Sequence, residues 1–355
     1  MQEDFGLPRL LKTMVGLKGT ELHLITGSQP RFRVGEKLIP GDFAVMNADK
    51  TKELVLSVMT EQQKEKYEQD KLVHFSFGVK GLARFHAYAY YQRGAASMAI
   101  KVIPFKIFPL DDLEIPAKVQ ALATRSSGLI FISGPAGSGK TTTLAGFVDK
   151  INEDHEKLIM TVEDPIAYLH QHKKGLISQQ EIYSDIESYP VALRAAWKQY
   201  PDVIVVGSVD DYETANELLR LAEAGFLCFA QLNVNSSVEV MNRILDLFPT
   251  SELSRVRTRL SLVLQGILCQ KLVPGLDGKR KLALEVFLPT TAAHTLMRHN
   301  KISEIYYLMQ AGQNIGSVTM NQSLHSLISQ NHISEKEGLK ASNDPLELMQ
   351  MLEKI

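Results

Sequence analysis

Near the start of the chain, Leu10, Leu11, Met14 and Leu17 recur at the spacing of an amphipathic helix, one expected to pack on the first domain. Residues 21–25 and 30–34 then alternate apolar with polar around Thr26-Gly27-Ser28, which predicts two adjacent strands. The polar stretch 50–69 carries Leu54, Val55, Val58 and Met59 at helical spacing and reads as one surface helix. Alternation resumes over 72–77, breaks at Gly81 and continues over 84–90, a hairpin pattern that places Arg84, His86, Tyr88 and Tyr90 on one face. Residues 1–102 therefore read as a mixed α/β domain around a small antiparallel sheet.

The pattern then changes. Pro104, Pro109 and Pro116, with the acidic pair Asp111-Asp112, suit an extended connector over 103–116. Beyond it, largely apolar runs at 128–132, 158–162, 202–206 and 227–230 alternate with helix-forming segments. Strands without polar alternation are covered on both faces, so residues 117–355 read as an α/β domain with a parallel sheet. From about residue 251 helical periods dominate, ending in a helix over 345–352.

Composition narrows the function classes. The 355 residues are 45% apolar and 22% charged, which is material for two globular cores and carries no signature of disorder. With 39 basic and 40 acidic residues the net charge is -1, so the broad positive footprint of a nucleic-acid binder is absent. Cys228 and Cys269 each lie in an apolar run and read as reduced core thiols. The first residues lack a signal-peptide pattern and no apolar run is long enough to span a bilayer, which points to a cytoplasmic protein able to dock on a membrane complex.

One motif carries strong chemistry. Gly134-Pro-Ala-Gly-Ser-Gly-Lys-Thr141 fits the P-loop pattern, follows a predicted strand and runs into a helix-forming segment from Thr142. Phosphates need many close donors: glycines let backbone N–H groups turn inward, and the helix N-terminus adds its dipole. Gly134, Gly137, Ser138, Gly139, Lys140, Thr141 and Thr142 are thus the expected nucleotide site, with Lys140 on the β- and γ-phosphates and Thr141 on Mg²⁺. Glu163-Asp164-Pro165 follows a predicted strand at the edge where open α/β sheets bind ligands. Glu163 is the candidate for orienting water and for sharing the metal. A second strand, 203–206, leads to Gly207 and Ser208, where a Walker B strand would be followed by an acid.

With these residues in hand, the chain resembles the type II/IV secretion ATPase superfamily, and most closely the PilT-type retraction ATPases of type IV pili and twitching motility. The likeness is carried by Thr20-Glu-Leu-His-Leu24, Arg84-Phe85 with Arg93, the P-loop, Glu163-Asp-Pro-Ile166 ending in His170, Pro201 to Gly207, Arg243 to Pro249, and Asn343-Asp-Pro345. It implies a PAS-like N-terminal domain, a RecA-like P-loop ATPase domain with a helical C-terminal region, ATP and Mg²⁺ as ligands, and a hexameric ring. It also implies that Arg84 and Arg93 stabilise phosphate charge, with Lys101 at a third basic position. The partners implied are further copies or an active retraction ATPase in a mixed hexamer, and the pilus platform at the inner membrane.

The departures are as informative. Where the family reads Gly-Glu and then Arg-Asp, this chain reads Gly207-Ser208-Val209-Asp210-Asp211; two family histidines are replaced by Phe226 and Asn233, and Ala-Ile-Arg becomes Ala292-Ala293-His294, with Arg298 retained. Loss of a carboxylate in a metal's outer shell costs about 10- to 100-fold, and loss of a general base roughly 10²- to 10⁴-fold. Binding should suffer less than hydrolysis. The expected function is an ATP-binding accessory or regulatory subunit of the retraction machinery. The alternatives are an active but slow hexameric motor and, more remotely, a P-loop small-molecule kinase.

Overall fold

The computed structural model describes residues 5–35, 37–103 and 106–353; Pro104 of the expected connector lies outside them. The chain divides into two compact units, one of residues 1–105 with 165–169 and one of 106–164 with 170–355.

In the first unit, the opening helix Leu7–Gly16 buries Leu7, Leu10, Leu11 and Met14. Leu17 falls beyond its last turn and is 41% exposed, so it does not extend the apolar face as its spacing suggested. Six strands follow: β1 (Glu21–Leu24), β2 (Arg31–Val34), β3 (Lys37–Pro40), β4 (Leu72–Val79), β5 (Ala83–Gln92) and β6 (Ala95–Ile103). They form one antiparallel sheet in the order β3-β2-β1-β6-β5-β4. The expected hairpin is β4–β5, with Phe77 opposite Phe85. Ala83, Phe85, Ala87 and Ala89 are buried, while Arg84, His86, Tyr88 and Tyr90 take the other face. The stretch 50–69 is not one helix but two, Ala48–Leu56 and Glu61–Asp70. Thr60 breaks it: its hydroxyl accepts from Gln63 N while the Gln63 side chain accepts from Thr60 N, a capping box that starts a new helix.

The second unit holds β7 (Gly128–Ser133), β8 (Leu158–Glu163), β9 (Leu176–Glu181), β10 (Val203–Val206), β11 (Leu227–Leu232), β12 (Leu264–Pro274) and β13 (Arg280–Phe287). Their order is β13-β12-β7-β11-β10-β8-β9, parallel throughout except for the β12–β13 hairpin. Every residue of β7, β10 and β11 is buried. The hairpin corrects the expectation of helices from residue 251. In β12, Gly266 to Gln270 are buried in succession against both faces, so the sequence offers no two-residue alternation by which to recognise a strand. Helices do resume afterwards and end in Pro345–Leu352. Cys228 and Cys269 are buried and unbridged, and burial pushes both thiols well above the ordinary cysteine value, which makes them inert core residues. Among the described residues, no helix is long and apolar enough to cross a membrane.

Candidate nucleotide site

The phosphate loop joins the end of β7 to the helix Lys140–Asp154. Gly134, Gly137 and Gly139 have φ of 139°, 77° and 89°, a region that side chains rarely enter, and these turns curl the loop over the helix N-terminus. A Cβ at Gly134 would lie 2.3 Å from Gln270 O and 2.7 Å from Ser138 Oγ, so the loop is wedged against β12 with no space for a larger residue. Gln270 braces it further by donating to Thr143 Oγ1 at 2.8 Å. Ser138 Oγ is buried and has no hydrogen-bond partner among the described residues. Lys140 Nζ donates to Gly134 O at 2.7 Å and Pro135 O at 2.9 Å, and burial lowers its pKa. A compact cradle with an ammonium at its mouth, an unmatched hydroxyl within and half-buried Thr141 and Thr142 on the first helical turn fits a chain of phosphates.

The carboxylates gather at the same end of the sheet. Glu163 is the last residue of β8 rather than the first beyond it, and its Oε1 accepts from Thr161 Oγ1 at 2.7 Å and Gln179 Nε2 at 3.2 Å. After β10, Ser208 Oγ donates to Asp210 Oδ2 at 2.5 Å, whereas Asp211 caps the following helix by accepting from Thr214 N and Oγ1. The Tyr189 phenol is kept protonated by burial, and then by the charges of Asp164, Glu163 and Asp210. In sheet order β10 lies two strands from β7 and β8 lies three, or about 10 and 14 Å. No cluster of three or more His, Cys, Asp or Glu among the described residues could hold a metal alone. The oxygen donors on this edge suit Mg²⁺, an ion held through a few protein oxygens together with phosphates and water.

The family described as "Type II/IV secretion system protein" matches residues 111–346. The chain belongs to this family. It is 34% identical to the Type IV pilus ATPase PilU of Pseudomonas aeruginosa, over 97% of this chain and 90% of that protein. It is 37% identical to a twitching motility protein of Neisseria gonorrhoeae, over 89% of this chain and 84% of the relative. The crystal structure of the pilus retraction motor PilT with bound ADP superposes with a TM-score of 0.92 at 39% identity, covering 98% of this chain and 100% of that one. The N-terminal α/β domain and RecA-like ATPase domain are thus those of the secretion ATPases.

Placed on this fold, the replaced residues of the secretion ATPase pattern separate. Asn233 directly follows β11, and the loop holding it is pinned to the phosphate edge, since Ser133 Oγ donates to Val234 O at 2.7 Å. Phe226 precedes β11, and its carbonyl accepts from Gly128 N at the start of β7. It lies at the far end of the sheet, about 20 Å from Asn233 along the strand, with its ring edge-on to Trp197 at 5.7 Å. Of the two replaced histidine positions, only Asn233 stands at the phosphate edge within one chain. His294, on the helix Thr291–Arg298, is half-buried, with its pKa lowered chiefly by burial.

The two candidate arginines are not brought together either. Arg84 is the second residue of β5, half-buried, with an Nε that has no partner among the described residues. Arg93 is exposed in the two-residue turn after β5, nine residues or about 30 Å further along. One triphosphate cannot meet both arginines of the same chain. A feature that sequence reasoning missed lies beside the loop: a cavity of about 430 Å³ whose lining includes Thr142, Leu113, Leu272, Leu282 and Lys281. Its walls come from the connector and from the β12–β13 hairpin, and the hairpin had carried no strand signal.

Proposed function

We propose that this secretion ATPase is an ATP-binding accessory or regulatory subunit of the type IV pilus retraction machinery whose own hydrolysis is impaired. The observation that carries the reading is a complete phosphate cradle beside an edge where Ser208 and Asn233 replace an acid and a histidine. Backbone N–H groups from Gly134 to Thr142 would bind the phosphates, Lys140 would leave its carbonyls for the β- and γ-oxygens, and the nucleoside would enter the cavity past Thr142. Mg²⁺, when bound, would neutralise charge on the phosphates, with Thr141 as the protein hydroxyl nearest the loop. Glu163, three strands away, is better placed to orient the attacking water than to touch the metal directly. The domain limits that suit these roles are 1–102, a connector 103–116 and 117–355.

The ring would be a hexamer of this chain or a mixed hexamer with an active retraction ATPase, docked on the inner-membrane platform from the cytoplasm. Arg84 or Arg93 of a neighbouring copy would face the phosphates. Measuring ATP affinity and turnover on the same preparation tests the reading, with an active retraction ATPase assayed beside it. Tight binding with turnover at least tenfold lower is the expected pair, and turnover equal to the active enzyme would overturn the accessory assignment. Asp210 at the phosphate edge favours the second reading, a slow homo-hexameric motor, to the extent that some turnover persists without a partner.

A further inference from the structure

The missing acid after β10 has a neighbour. Val209 is fully buried, whereas Ser208 on one side of it is half-buried and Asp210 on the other is exposed. A serine oxygen stands two bonds from its Cα, and Asp210 Oδ2 lies one hydrogen bond of 2.5 Å beyond it. The Asp210 carboxylate thus hangs from position 208 at about the reach of a four-bond glutamate side chain. We propose that Asp210 supplies the carboxylate of the metal's outer shell, through metal-bound water, with Ser208 as its positioning residue. The assignment rests on the ATP-binding reading and concerns the same site.

Three further features agree. Asp211, next in the chain, is committed to capping the helix Tyr212–Glu223 and cannot take this part. A Cβ on Gly207 would lie 2.9 Å from Tyr189 Oη, so a protonated phenol stands against the turn that leads into Ser208. Its charge environment includes Asp210 together with Asp164 and Glu163, which puts the exposed Asp210 carboxylate on the same sheet edge as the other two. The sequence change that looked like a double loss, an acid removed at 208 and a base reversed at 210, is in this geometry the relocation of one carboxylate. The arginine this family carries at 210 would have put a cation in the same space.

The test uses the full chain saturated with an ATP analogue that is not hydrolysed, with Mn²⁺ as the metal and electron paramagnetic resonance as the readout. Nucleotide affinity in chelator is measured alongside. Asp210→Asn should weaken Mn²⁺ binding about 10- to 100-fold while chelator affinity stays within about twofold. Ser208→Ala should weaken it less, and adding Ser208→Glu to Asp210→Asn should restore most of it, which a purely structural role for Asp210 would not produce. Asp210→Asn that binds Mn²⁺ as wild type does, or that loses nucleotide equally in chelator, overturns this assignment alone. Wild type that binds no nucleotide under either condition overturns the ATP-binding reading and this inference with it.

Discussion

Lys140 Nζ donates to two loop carbonyls, Gly134 O and Pro135 O, and burial already weakens its hold on the proton. Replacing it removes the one side-chain cation of the cradle, so Lys140→Ala should lose ATP affinity by at least tenfold, about 1.4 kcal/mol, in calorimetry; equal affinity would refute the phosphate-loop assignment. The P-loop was legible because its chemistry is a short run of adjacent residues. The edge opposite it was not, because position 208 reads as a plain loss until the chain turns Asp210 back onto it. That return changes what a restored acid should do. Ser208→Glu alone would set two carboxylates against each other, so turnover should rise more in Ser208→Glu with Asp210→Arg than in the single variant. A single variant that matches the double would mean Asp210 is not in the site.

His170 gives a stability prediction at the same scale. Burial, aided by Lys173 and opposed by Asp149, pushes it down to about 4 from an ordinary value near 6.5, and its Nδ1 has no partner among the described residues. Between those two values the unfolded chain binds the proton and the folded chain does not, so stability should fall as pH drops from about 6.5 to 4. The full span is on the order of 3 kcal/mol. Denaturant midpoints for wild type and His170→Asn across that window test this, and equal slopes would place the titration elsewhere.

Among the elements, the strands that sequence patterning found are those with either clean alternation, as in β4 and β5, or an apolar run bounded by turns, as in β7 and β11. β9 is an edge strand reading Leu-Ile-Ser-Gln-Gln-Glu, too polar to announce itself, and β12 is hidden by burial on both faces. β12 matters most for function, because its Gln270 carbonyl is the wall against which the phosphate loop closes. Gly134→Ala must push a methyl group into that wall or open the loop. It should abolish tight ATP binding while leaving the circular dichroism of the domain unchanged, since the strained contact is confined to the loop; retained affinity would show the loop free to relax. The split of 50–69 into two helices follows the same logic on a smaller scale, since side-chain bonding at Thr60 and Gln63 outweighs a continuous helical periodicity.

At the scale of the whole molecule, the reading depends on which arginine crosses to a neighbour, and the fold gives unequal candidates. Arg84 sits within β5, half-buried, whereas Arg93 is exposed at the tip of the turn between β5 and β6. Arg93 also has φ of 50° beside Gly94 at 76°, a primed two-residue turn in which asparagine is the favoured first residue. An arginine held there costs of order 1 kcal/mol more than a residue suited to the left-handed region. A costly residue on an exposed tip is the pattern of a position kept for contact with something else. Arg93→Asn should therefore raise the unfolding midpoint while lowering ATP turnover in rings formed by this chain or by this chain with an active retraction ATPase. Arg84→Ala, tested in the same rings, should affect turnover less. If Arg93→Asn is stabilised and turnover is unchanged, the turn is only a turn, and the phosphate-facing cation of the ring must be sought at Arg84 or at Lys101 on β6.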